Sequence, residues 1–419
     1  MSKIKILVVP SDRTGVSYFR STVPHIKLEQ YFPNEFHVDI DYEPELDNDK
    51  FLKQYDIIHY HRTLGEYEKM ESLLNRCDDL GIVTIMDIDD HWSPGPNHPA
   101  WEIIKSNELD KKILNNLKLS RNITTTTQIF AEHMKKINEN IYVLPNAIDT
   151  NEKQYQSNSV KSDRIRIGWL GGSSHLKDLE LLGNLVNNFK SNNLLDKVQF
   201  VLCGYDLRGS MTMIDRKTGK QTQRPIKPKE SVWYKYEKIF TDNYTIVSDE
   251  YRDFLLEFKN EEYSNVENEP YRRVWTKPIT SYASNYDLFD ISIAPLVESD
   301  FNKVKSQLKV IEAGFHKKAL IGQDFGPYQI DVNNAYERGG EYNIENSNGI
   351  LIPQNKNHKF WFKHLKKLVL NPEMIEKLGE NLYNTVNGKY DMKSVCTDRK
   401  NLYLKLLKEK KEKLVELVN

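Results

Sequence analysis

A short apolar strand, a glycine-bearing loop and the start of a helix follow one another twice in this chain. The first instance is the run at residues 3–10, the loop Asp12-Arg13-Thr14-Gly15-Val16-Ser17 and a helix carrying Tyr18, Phe19 and Arg20. The second is Arg164 to Leu170, where Ile165, Ile167 and Trp169 are spaced by two, then Gly171-Gly172-Ser173-Ser174-His175 and a helix from Leu176. Apolar runs at 36–40, 56–60, 82–86, 123–125 and 141–144 follow the first instance, and runs at 198–203, 291–294, 319–322 and 349–353 follow the second, with helical stretches between them. Strands that alternate with helices build a parallel sheet covered on its faces, so the expected class is α/β. The chain, at 419 residues, is too long for one ordinary core, and the pattern restarts after the polar, aperiodic stretch 151–163. Two Rossmann-like domains are therefore expected at 1–150 and 164–390, the second with an insertion at about 205–275, followed by a C-terminal helix over 391–419.

Composition narrows the function classes. Hydrophobic residues make up 39% and charged residues 28%, with a net charge of -1, which describes a globular protein without the basic balance of a general nucleic-acid binder. No run approaches the roughly 20 apolar residues of a membrane span. The first strand begins so near Met1 that a signal peptide has no room, so the expected compartment is the cytoplasm. Cys77, Cys203 and Cys396 are widely separated, which indicates neither a disulfide framework nor a zinc site. Within the insertion, residues 215–220 read as a hairpin turn with Gly219 at positive φ, in a locally basic loop that is either solvated or meets an acidic acceptor. The aromatic groups Trp233, Tyr234, Tyr236, Phe240 and Tyr244, and Tyr271 to Trp275, read as core packing.

The most informative stretch runs from Asp300 to Phe315 and follows the strand 291–294 through Pro295 and Leu296. Val304, Leu308, Ile311 and Phe315 fall at helical spacing and predict one buried stripe, with Ser306, Lys309 and Glu312 along an adjacent polar face. A helix starting at the end of a parallel strand presents unpaired backbone N–H groups and a positive dipole end, which suits a phosphate; Lys305, Ser306 and Lys309 add side-chain donors. Glu312, one turn on, can accept hydrogen bonds from sugar hydroxyls. By spacing alone, a surface amphipathic helix remains the other reading.

Pro295-Leu296, Asn302, Lys305, Ser306, Lys309, Glu312, Ala313-Gly314 and the run 319–322 together resemble the donor-binding segment of glycosyltransferases with the GT-B fold, especially the family 4-like group (glycosyl transferases group 1). Leu144-Pro145-Asn146-Ala147-Ile148-Asp149 resembles the segment that ends the first domain of that fold. The resemblance implies two facing Rossmann-like domains with an interdomain cleft, and a C-terminal crossover helix bracing the first domain through Leu402, Leu404, Leu407, Leu414 and Leu417. It implies Glu312 on the donor ribose, with Asn302, Ser306, Lys305, Lys309 and the helix start toward the sugar nucleotide's diphosphate. The loop of Gly171, Gly172 and Ser173, with His175 and Lys177, faces the donor phosphates in the same reading, and Gly15 lies against donor and acceptor. Many members carry a second Glu eight residues before Glu312; here that position is Val304. The activity implied is transfer of a sugar from a nucleotide-diphosphate sugar with retention of configuration, without a cofactor or an obligatory metal, Lys309 and Lys305 stabilising the departing diphosphate.

Two strand ends carry further polar chemistry: His59-Tyr60-His61-Arg62 and Asp87-Ile88-Asp89-Asp90-His91-Trp92. Both are expected on the same sheet edge as Gly15. His61, Arg62 and Arg20 are candidates to meet the acceptor, a glycan, glycolipid or nucleic acid, and Asp90 and His91 are candidates for catalysis. Asp87-x-Asp89 also resembles the motif with which metal-dependent GT-A glycosyltransferases hold a divalent ion. Other readings are a viral enzyme that glycosylates modified DNA bases, a nucleotide-sugar epimerase of the same fold, and a noncatalytic binding module.

Overall fold

The computed structural model describes residues 3–418 apart from 97, 157, 215–217, 219–220, 242–245, 258–262, 264 and 338. The expected hairpin turn, Thr218 apart, and Tyr244 lie outside the described residues. The chain divides into two compact units: Met1–Asn151 with Glu298–Ile311 and Val386–Asn419, and Glu152–Val297 with Glu312–Thr385. Residues 298–311, expected in the donor domain, thus pack with the first unit, and the division falls inside the helix Leu308–Phe315.

The first unit holds β1 (Ile4–Val9), β2 (Phe36–Ile40), β3 (Ile57–His61), β4 (Val83–Ile88), β5 (Ile123–Thr125) and β6 (Ile141–Val143), all parallel, in the order β2-β1-β3-β4-β5-β6. Side chains alternate across a strand, so each apolar run supplies two cores. Leu7, Val9, Ile58, Tyr60, Met86 and Ile88 pack on one face with Met70, Leu73 and Leu74. Ile6, Val8, Ile57, Val83 and Ile85 pack on the other with Leu28 and with Met392, Val395, Cys396, Leu402, Tyr403 and Leu406 of the C-terminal helix Met392–Val418. That helix covers the first unit, and Lys400 pairs with Glu35 at 2.5 Å and Lys410 with Asp78 at 2.8 Å. Of the leucines expected to face the sheet, Leu402 is buried and Leu407 packs beside it, but Leu404 is 39% exposed because it stands on the opposite side of the turn; the side chains of Leu414 and Leu417 are outside the description.

The second unit adds β7 (Ile165–Leu170), β8 (Val198–Tyr205), the hairpin β9 (Ser210–Ile214) and β10 (Gln221–Pro225), β11 (Tyr271–Trp275), β12 (Ile291–Ala294), β13 (Ala319–Gln323) and β14 (Ile350–Ile352). Apart from the antiparallel β9–β10 ribbon, its sheet is parallel in the order β11-β8-β7-β12-β13-β14. Counted from β7 this is the 3-2-1-4-5-6 order of the Rossmann fold, whereas the first unit has the flavodoxin-like 2-1-3-4-5-6 order. The chain order therefore reverses between β1 and β3 in one unit and between β7 and β12 in the other, which marks the loops after those strands as the ligand edge of each sheet. Of the aromatic groups expected to pack in the core, Trp233, Tyr236, Phe240 and Tyr271 are buried, and Tyr234 and Trp275 are half-buried. Beside them Arg273 forms a buried pair with Glu237, Nε to Oε1 at 2.7 Å and Nη2 to Oε2 at 2.9 Å, while Tyr205 and Tyr271 donate to the same carboxylate.

Candidate functional site

In the first unit the chain leaves β1 through a turn held by Asp12, whose Oδ1 accepts from the Thr14 amide at 2.7 Å and hydroxyl at 2.8 Å. Gly15 opens a single helical turn, and Tyr18–Thr22 widens into a π-type turn, an irregularity common near functional sites. This wide turn drives Arg20 inward. Its Nε and Nη2 donate to Asp87 at 3.0 and 2.7 Å, and its Nη1 donates to the Leu144 carbonyl at 2.6 Å and Asn146 Oδ1 at 3.1 Å. Arg20 is 1% exposed and each guanidinium nitrogen already has an acceptor, so it is not available to an acceptor substrate; the expected role is corrected to that of an internal strut.

Asp87, fully buried, also accepts from Thr124 Oγ1 at 2.7 Å. Both its oxygens are thus taken by fixed donors, one of them a guanidinium, which is not the environment of a metal ligand. Asp89 instead lies 3.0 Å from His61 Nε2 and 3.4 Å from Arg62 Nη2. Burial acts to raise the Asp89 carboxyl, but His61, Arg62 and Arg20 outweigh it and hold it well below the usual carboxylate range. Asp90 is displaced the other way, by burial and then by the charge of Asp89, against the pull of Lys305 and Arg62. Two adjacent carboxyl groups are thereby driven apart in proton affinity, an arrangement that separates an acid from a carboxylate. Arg62 sits at φ 61°, a left-handed conformation unusual for a residue with a side chain. Its amide donates to the Asp87 carbonyl at 3.1 Å and its own carbonyl accepts from Asn116 at 3.1 Å. His91 stacks on Trp92 at 4.2 Å, its Nδ1 accepts from the Ser93 amide at 3.0 Å, and burial lowers its pKa.

The stretch expected as one helix is two. Asp300–Lys303 is a single turn capped by Ser299, and the helix Leu308–Phe315 begins after an irregular step from Val304 to Gln307. Val304 causes the break: it is fully buried in the cluster with Leu7, Tyr60 and Met86 instead of lying along a helix stripe. The consequence is that Lys305 and Ser306 precede the helix start, and Lys309 lies in its first turn. Asn146 Nδ2 donates to Ser306 Oγ at 3.2 Å, which joins this segment to Arg20 and Asp87. Lys305 lies 5.0 Å over the Phe301 ring, and Phe301 lies 5.2 Å from the His98 ring. Asn302 is buried, 9% exposed. Lys305, Ser306, Asp89, Asp90, His61 and Arg62 all belong to the first unit. His98 and Phe301 escape sequence reading, and Asn146 enters it only as part of the segment that ends the first domain.

Glu312 departs most from expectation. It is 3% exposed and accepts from the Tyr282 hydroxyl and, at 3.3 Å, from that of Tyr286, both within the second unit. Burial raises its pKa well above the ordinary value. Its carboxyl group therefore serves the core of the second unit, where the resemblance implies that it holds the donor ribose. In the same unit the loop after β7 leaves Gly172 and Ser173 exposed, and Gly171 is set by packing: a Cβ there would approach the Trp169 ring to 2.5 Å. His175 Nδ1 lies 2.7 Å from Asp178, whose other oxygen accepts from the Val297 amide at 2.8 Å, tying the loop after β7 to the loop after β12. Lys177 pairs with Glu180 at 2.9 Å on an exposed surface. Among the described residues no cluster of His, Cys, Asp and Glu could hold a metal ion, and no helix is long and apolar enough to cross a membrane.

No protein-family model matches this sequence, and no curated protein matches it in sequence. Solved structures do match it. A sucrose-phosphate synthase from Thermosynechococcus elongatus superposes with TM-score 0.58 at 12% identity over 98% of this chain and 100% of that one. A glycosyltransferase from Rickettsia africae gives TM-score 0.58 at 13% identity over 97% and 100%. Anabaena HepE in complex with UDP gives 0.55 at 11% over 96% and 99%, and HepE has also been solved with UDP-glucose. The likeness extends along both units, and it establishes that this chain has the two-domain α/β fold of the GT-B glycosyltransferases.

Proposed function

We propose that this protein is a glycosyltransferase that moves a sugar from a nucleotide-diphosphate sugar to an acceptor hydroxyl, of the family 4-like group. The observation that carries this reading is a fold shared over nearly the full length with a sucrose-phosphate synthase, with a glycosyltransferase and with HepE, which has been solved with UDP and with UDP-glucose. Lys305, Ser306 and Lys309, with the N-terminal amides of Leu308–Phe315, form the phosphate-binding group, and the charge that develops on the leaving diphosphate is met by these lysines and the helix dipole. Asp90, raised beside an ionised Asp89, is the candidate to exchange a proton with the acceptor hydroxyl, and His91 lies next to it in the chain. Transfer is retaining and metal-independent in this reading; the engagement of Asp87 by Arg20 and Thr124 supports the second point.

The test is a panel of nucleotide sugars scored by thermal shift and then by donor turnover with and without acceptor sugars and glycosylated lipids. A donor that raises the melting temperature and is consumed only with acceptor is the expected result. Consumption without acceptor would identify an epimerase or hydrolase, and binding without consumption a noncatalytic module.

A further inference from the structure

A second set of buried polar groups in the first unit borders on Arg20 and otherwise has no part in the roles above. The pleat that carries Ile57 to the face covered by the C-terminal helix carries His59 there too. The wide turn after β1 contributes Arg20 and Ser21, the helix Val23–Tyr31 contributes His25, and the C-terminal helix contributes Arg399 and Tyr403. None of these six is more than 1% exposed. Arg399 Nη1 donates to the Tyr403 hydroxyl at 3.0 Å, that hydroxyl lies 2.7 Å from His25 Nε2, and His25 Nδ1 lies 2.5 Å from the Ser21 carbonyl. A carbonyl can only accept, so His25 carries its proton on Nδ1 and accepts from Tyr403 at Nε2. This run of bonds satisfies His25 and leaves it neutral.

Its neighbours are not satisfied. The His59 ring lies 4.4 Å from that of His25, and neither of its nitrogens has a partner; Ser21 Oγ and Arg399 Nε have none either. Arg20 is matched by Asp87, but among the described residues no carboxylate pairs with Arg399. A fully buried guanidinium without a counter-charge is costly, and buried donors without acceptors are rare in folded proteins. The Arg399 Nε–H, one His59 ring N–H and the Ser21 hydroxyl all ask for an acceptor, and Arg399 asks for a negative one. Water would meet the first demand and leave the second.

We propose that His59, Ser21 and Arg399 enclose a small inorganic monoanion of chloride size, which neutralises Arg399 and ties the C-terminal helix to the sheet. The test is thermal unfolding of the full chain exchanged into sodium gluconate, then titrated with sodium chloride at constant ionic strength. The expected result is a saturable rise of about 2 °C or more with chloride, absent in Arg399→Met. Equal melting temperatures in the two salts overturn the proposal, as does a chloride response that Arg399→Met retains. Should Arg399→Met fail to fold, wild-type crystals grown in sodium bromide decide: an anomalous peak in contact with His59 and Arg399 supports the site, and no peak there overturns it.

Discussion

Among the described residues, replacing Arg20 by Met removes every side-chain donor that Asp87 receives except Thr124, at a site closed to solvent. Breaking a buried ion pair from one side costs about 3–5 kcal/mol because the remaining charge stays buried. The Leu144 carbonyl and Asn146 lose a partner as well, for about 1 kcal/mol more. At about 2–4 °C per kcal/mol for a unit of this size, the melting temperature should fall by about 8–24 °C. Urea and thermal unfolding followed by circular dichroism measure this. Asp87→Leu should be similarly damaging, since it strands the guanidinium, and the double variant Arg20→Met with Asp87→Leu should be markedly milder than the two losses added, because neither charge is then left alone. Two results would refute the reasoning. One is an Arg20→Met variant within about 1 kcal/mol of wild type. The other is Asp87→Asn with wild-type stability and a transfer activity restored by manganese, which would make Asp87 a metal ligand after all.

Glu312→Ala should destabilise the second unit by about 2–4 kcal/mol, since it opens a cavity and takes one acceptor from each of the Tyr282 and Tyr286 hydroxyls; Glu312→Gln should keep most of that stability in a denaturant titration, and equal effects of the two would dismiss the hydrogen-bond account. Lys309→Ala should lower turnover at saturating donor on the order of 10²-fold while sparing sugar selectivity, because a fixed ammonium gains most as charge collects on the leaving oxygen; near wild-type turnover would shift that role to Lys305. Burial lowers the pKa of His364 to about 4 in the folded chain, so the unfolded chain takes up the proton first as pH falls. Stability should therefore drop by about 1.4 kcal/mol per pH unit between about pH 6.5 and 4 on account of this residue, and His364→Leu should flatten the slope of stability against pH by that amount in urea titrations. EDTA should leave transfer activity unchanged in an assay with the identified donor; loss restored by manganese would count against the diphosphate being met by lysines.

The α/β class and the two restarts were legible because they follow from local rules: β-branched runs of five or six residues, glycine loops and helical spacing are written in consecutive residues. Thus β2 falls at Phe36–Ile40 and β5 at Ile123–Thr125, where the apolar runs predict them. What local pattern could not decide is which strand lies beside which. The reversal points between β1 and β3 and between β7 and β12 depend on long-range pairing, and they select which strand ends can meet a ligand. Val304 shows the same limit at the scale of one residue: its spacing from Leu308 fits a helix stripe, but burial against Leu7 and Tyr60 costs the chain that helix and moves Lys305 and Ser306 ahead of the next one. Arg20 and Glu312 read as charged groups available to a substrate because a sequence states a side chain's chemistry without its surroundings. Asp87 lies 67 residues from Arg20, and Tyr282 lies 30 from Glu312. Only when the fold brings them together do those partners satisfy the buried groups, and a satisfied buried polar group holds a fold in place instead of reaching for a ligand.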